Sequence, residues 1–231
     1  MTLAMQDRKS EAETAYHQLL IIKPGLAAGL SGLANVLLSQ GRSLEAAQLF
    51  IKAVESDPRN TECLNGWAAA LAQQNQLSSA VAKYSESLKI DPNQPVVHCA
   101  IADLATGLGE TEKSVHHYRE ALRLEPAMGL ALNNLAWILA THPDAHYRDG
   151  KEAVRLSQLA CKQTDYKLPF LIGTLAAAQA EAGEFEAAIA SAEMARDLAI
   201  SNGQPEVAKK NEELLVLYRS GRAYRESSRG H

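Results

Sequence analysis

The chain has 231 residues, a formal net charge of -4 and 46% hydrophobic residues. That is enough apolar content for a packed core, while the acidic balance excludes a basic surface of the kind nucleic-acid phosphates require. No apolar run reaches the roughly 18 residues of a membrane span, and no secretory leader pattern opens the chain.

The first segment, 1–26, predicts a helix from about Ser10 to Ile22, stopped by Pro24. Met1 then falls in the last turn of a preceding helix whose body is missing. From Pro24 onward a strict interval appears. Pro24, Pro58, Pro92 and Pro126 are each 34 residues apart. Proline bars the α conformation for the residue before it and so ends a helix. Eight residues before each proline stands Tyr16, Phe50, Tyr84 or Tyr118.

Segments 27–60, 61–94 and 95–128 are three full units. Leu33, Trp67 and Ile101 hold one phase, directly followed by Ala34, Ala68 and Ala102. Gly41, Asn75 and Gly109 mark a turn in each, since these residues tolerate the left-handed conformation beyond a helix end. Apolar residues at i, i+3, i+4 and i+7 make each half-unit an amphipathic helix. Each unit therefore reads helix A, turn, helix B, turn.

Segment 129–168 keeps the phase at Leu132, Leu135 and Ala136 but lengthens its inner turn by five residues, "THPDAHYRDG". Segment 169–202 continues with Leu175, Ala176 and Ala188, and carries Ala192 where the others have an aromatic ring. Segment 203–231 predicts a capping helix with Leu214, Leu215 and Tyr218 on its apolar face and Gly221 as its stop.

The phased alanines, aromatic rings, turn residues and prolines on a 34-residue period resemble the tetratricopeptide repeat family. The resemblance covers nearly all of 1–231 as a single array. It implies an all-α, right-handed α-solenoid of antiparallel helix-turn-helix repeats. Stacking is required on physical grounds as well, because a lone hairpin leaves apolar surface uncovered. The last repeats and cap resemble the C-terminal repeat blocks of larger bacterial proteins of this family.

The resemblance also implies a function: a non-enzymatic scaffold that binds a peptide or partner protein in a concave groove lined by helix A. Mapping that groove by register gives Asn35, Asn65, Asp103, Asn133, Asn134 and Trp137 as binding residues. Ser31, Cys99, Thr141, Phe170, Thr174 and Glu181 stand beside them. Asparagine offers a donor and an acceptor to a main-chain amide, and tryptophan is enriched among interface hot spots. The lysines that would grip a free peptide carboxylate are missing, with Ser31 at one such place and Gly66 at an expected asparagine.

No catalytic residue, metal site or cofactor is expected. His142, Asp144, His146 and Asp149 crowd the long turn, but each also suits a turn or helix cap. Cys63, Cys99 and Cys161 are too far apart for a zinc motif or a disulfide framework, which favours a reducing, cytoplasmic setting. Two other readings stay open: self-association through the uncapped N-terminal end, and a regulatory or oligomerisation domain of a longer enzyme, membrane-associated or glycosyltransferase-like.

Overall fold

The computed structural model describes residues 3–227, with side chains from Arg8 onward. It contains twelve α-helices and no strand among the described residues. They divide into two compact units, the first ending at Glu110 and the second beginning at Thr111.

The first unit holds α1 (Leu3–Ile22), α2 (Ala27–Ser39), α3 (Ser43–Ser56), α4 (Thr61–Gln73), α5 (Leu77–Ile90) and α6 (Pro95–Leu108). The second holds α7 (Thr111–Leu124), α8 (Gly129–Thr141), α9 (Gly150–Gln163), α10 (Pro169–Glu181), α11 (Phe185–Ser201) and α12 (Pro205–Arg219). Within each unit, consecutive helices pack against one another. The fold is of the all-α solenoid class, with α2, α4, α6, α8 and α10 as helix A of successive hairpins.

The 34-residue frame fixes the helix ends. α1, α3, α5 and α7 all end two residues before a phased proline. At the other turn, Gly41 and Gly109 take φ of 81° and 76°. The next amide then reaches back over the helix end, from Arg42 to the Leu37 carbonyl at 3.0 Å and from Glu110 to the Ala105 carbonyl at 2.9 Å. Those bonds satisfy carbonyls that the helix leaves open.

Ala34, Ala68, Ala102, Ala136 and Ala176 are all fully buried, as their small size at the phased position requires. The aromatic rings of α1, α3 and α7 meet the following helix A sixteen residues later. Phe50 lies against Gly66, so close that a Cβ on Gly66 would come within 2.2 Å of its ring. Tyr16 lies on Gly32 in the same way.

One expectation is corrected. α1 runs unbroken from Leu3, where the register places the last turn of a separate helix A. The stretch "LAMQDRKSEAE" offers no glycine or proline to break it, and alanine, leucine, methionine and glutamate favour helix continuation. In α12, Leu214, Leu215 and Tyr218 are buried. Residues 222–227, however, are not helical.

Candidate functional site

The register-mapped residues fall into two sets, one in each unit. In the first unit, Asn35 on α2 is exposed, and Asp103 on α6 is exposed. Asn65 on α4 is half-buried and lines a cleft of about 310 Å³ with Tyr84, Gln94, Val96 and Ala100. Its amide Nδ2 donates to Gln94 Oε1 at 2.8 Å. Its Oδ1 is buried and has no hydrogen-bond partner among the described residues. Gln94 is itself held by Asp91 O at 2.8 Å and Ser87 Oγ at 3.0 Å, so Asn65 cannot easily rotate away.

The second unit repeats the arrangement. Asn133 sits on α8 at the same repeat position as Asn65, two repeats later. Its Nδ2 donates to Asn134 Oδ1 at 3.1 Å, while its own Oδ1 is buried and without a partner among the described residues. Asn134 donates in turn to the Tyr118 hydroxyl at 3.2 Å. Asn134 thereby occupies the place that Gly32 and Gly66 hold in earlier repeats, facing the preceding aromatic ring, and its amide works in packing. One turn beyond Asn133 stands Trp137, half-buried, whose indole N–H donates to Glu226 Oε1 at 2.7 Å.

Three of the neighbouring groove positions are not surface residues. Cys99, Thr141 and Thr174 are buried. Thr141 is covered because the chain returns over it: the Glu226 amide donates to the Thr141 carbonyl at 2.9 Å. Thr174 lies on α10, which is buried on every side from Leu171 to Ala180. Phe170 remains exposed.

The long turn resolves into local structure. Asp149 caps α9 by accepting from the Glu152 amide at 3.0 Å, and Asp144 accepts from the His146 amide at 2.9 Å. His142 contacts the Thr111 hydroxyl at 3.1 Å and accepts from the Asp144 amide at 3.1 Å. Among the described residues, no group of three or more His, Cys, Asp or Glu could hold a metal ion. No described helix is long and apolar enough to cross a membrane.

The family is visible beyond this register. The tetratricopeptide repeat family model matches residues 2–199. The chain belongs to the tetratricopeptide repeat family. Among solved structures, this repeat protein resembles YrrB, described as a TPR protein with an unusual peptide-binding site. The two share 16% identity and a TM-score of 0.72, over 88% of this chain and 100% of YrrB. It also resembles MamA, at 16% identity and a TM-score of 0.60 over 72% of this chain and 97% of that one. The APC/C hetero-tetramer Cut9–Hcn1 gives 16% identity and a TM-score of 0.63 over 92% of this chain and 43% of that one. At such identities the likeness concerns the fold alone. No curated protein matches the sequence significantly.

The three thiols of the repeat protein are free and buried. Burial pushes Cys99 up to about 12, with the Asp103 carboxylate adding to the effect, and pushes Cys161 up to about 11; Cys63 rises for the same reason. A thiolate is the reactive form, so these thiols are inert at neutral pH. A thiol-titrating disulfide reagent at pH 8 is expected to react promptly with none of the three in the folded chain, and with all three in guanidinium. The same shifts set a pH trend. Their raised folded values leave stability intact below the unfolded thiol pKa of about 8.5, and it falls as pH climbs toward 11–12.

Sequence reasoning missed several residues that build the face of the second unit. Arg148 donates from Nε to Glu181 Oε1 at 3.0 Å and from Nη1 to the carbonyls of His142 and Pro143, each at 2.9 Å. Arg225 pairs with the other oxygen of Glu181. Tyr224 lies with its ring centroid 6.0 Å from that of Trp137. Arg148 was readable only as one more turn residue, and the tail carries no repeat phase at all.

Proposed function

We propose that this chain is an interaction scaffold that binds an extended peptide segment of a partner protein along its helix-A faces, with no covalent step. The observation that supports this best is the pair Asn65 and Asn133. At the same repeat position in each unit, an asparagine is anchored through Nδ2 and holds a carbonyl oxygen that no neighbour satisfies. A buried acceptor left unpaired costs about 1–3 kcal/mol, so a side-chain shift that opens it to a peptide N–H recovers that energy. In the first unit the asparagine stands beside an apolar cleft wide enough for one side chain of the ligand. Similarity to YrrB, whose own description names a peptide-binding site, supports the same reading. Asn35 and Asp103 extend the first face, and Trp137 anchors the second. The free thiols favour a reducing compartment for the scaffold.

The test begins with selection of displayed random peptides against the full chain. A selected peptide is then titrated by calorimetry into the chain and into its Asn65→Ala and Asn133→Ala variants. The scaffold reading expects at least a tenfold loss of affinity in one variant with the melting temperature retained. Failure to select any peptide, or unchanged affinity in both variants, contradicts it.

A further inference from the structure

After α12 the chain turns at Gly221, with φ of 68°, and runs back across the second unit without forming a helix. Three consecutive residues of this tail each meet a different complement. Tyr224 lies beside Trp137, and Lys210 Nζ sits 4.2 Å from the centroid of its ring, a cation–π geometry. Arg225 pairs with Glu181, which Arg148 holds from behind. Glu226 accepts from the Trp137 indole N–H and gives its main-chain N–H to the Thr141 carbonyl. Ala223 and Tyr224 also rest on the cluster of Leu214, Leu215 and Tyr218.

This is how a face recognises an extended peptide: one main-chain hydrogen bond for register, and a separate side-chain partner for each successive residue. A tail that only needed to cover apolar surface would not require an acid for its arginine and an indole N–H for its glutamate. We infer that the face built by Trp137, Glu181 and Lys210 is a binding site for a partner protein's extended segment reading aromatic, arginine, acidic, and that the tail residues Tyr224–Glu226 occupy it in cis. This deepens the scaffold reading and rests on it. Asn133, one turn before Trp137 on α8, lies on the same helical stripe.

Tethering sets the energetics. A short linker holds the tail at an effective concentration on the millimolar scale, so a partner segment must outcompete it. The apparent affinity for an added peptide is lowered by the fraction of time the site stands open.

The probe is a fluorescein-labelled peptide, GRAYRES, matching residues 221–227 and blocked at its C-terminus. Its anisotropy is followed with the full chain, with a Tyr224→Ala/Glu226→Ala variant, and with that variant carrying Trp137→Ala. The variant with the disabled tail is expected to bind at least tenfold tighter than the unaltered chain, and Trp137→Ala is expected to remove that gain. A scrambled peptide serves as the control for non-specific binding. Equal binding by the unaltered and tail variants overturns the assignment, as does binding that survives Trp137→Ala. If the double variant loses helicity, Glu226→Ala alone, which removes one side chain's bond, is held to the same criterion. A dimer of the unaltered chain that vanishes in the tail variant would make a second copy the occupant and overturn the partner assignment. Because the probe reports on the second unit, its failure leaves Asn65-dependent binding of a selected peptide standing. Failure to select any peptide defeats the scaffold reading on separate data.

Discussion

Phe50→Ala is expected to lower the unfolding free energy by about 3–5 kcal/mol, the range for emptying a fully buried aromatic site. Phe50 is completely buried, among Leu33, Leu37, Ala46 and Ala70. Its ring also rests on the backbone of α4, because Gly66 has no Cβ to hold it off. The surrounding alanines have no side-chain length with which to collapse into the space, so the cavity persists. Gly66→Ala provides the second half of a cycle. In the natural background the added methyl lies 2.2 Å from the ring and overpacks, at a cost of about 1–3 kcal/mol. With Phe50→Ala already present the conflict is gone, and the helical preference of alanine over glycine, about 1 kcal/mol, becomes visible. Urea unfolding of the four proteins checks this. Additive effects would show that Phe50 and Gly66 do not touch as described.

Glu181→Ala is expected to cost about 2–3 kcal/mol. The carboxylate sits between Arg148 and Arg225, with side-chain exposures of 13%, 17% and 36% for the three groups. Removing one partner of a fully buried pair costs about 3–5 kcal/mol; access of water to Arg225 reduces that here. Arg148 keeps its two carbonyl contacts and so is not stranded. Arg225 loses its partner, and the tail loosens over Trp137. The change is therefore expected to shift the tryptophan emission to longer wavelength along with the urea midpoint. An unshifted emission spectrum with a normal midpoint would show that Glu181 does not fasten the tail.

The repeat frame was legible because it is written in residue types that have few alternatives. Proline two residues past a helix end, a left-handed glycine after helix A and a phased alanine under an aromatic ring each leave one local solution. Trp137 was mapped by register to the groove side of helix A, but the tail that lies against it was not legible. Its contacts come from Tyr224 and Glu226, 87 and 89 residues away, in a segment without period. Thr141 was mapped to the surface for the same reason: the tail that buries it has no helical pattern to read. Cys99 was mapped outward by register, yet a small thiol is readily accommodated in a packed interior. Asn134 shows a subtler limit. Register alone could not say that an amide, placed where two earlier repeats have glycine, would bond the tyrosine hydroxyl beside it. The break predicted within α1 failed because register was extended into a stretch with no turn-forming residue.

The central claim is that the helix-A faces bind extended peptide. Hydrogen–deuterium exchange of the full chain, with and without a saturating selected peptide, tests it most directly. The account predicts slowed exchange concentrated in α4 and α6 around Asn65, or in α8 around Asn133 together with faster exchange in the displaced tail. Slowing confined to α3, α5, α9 or α11, with the asparagine-bearing helices unchanged, would contradict it.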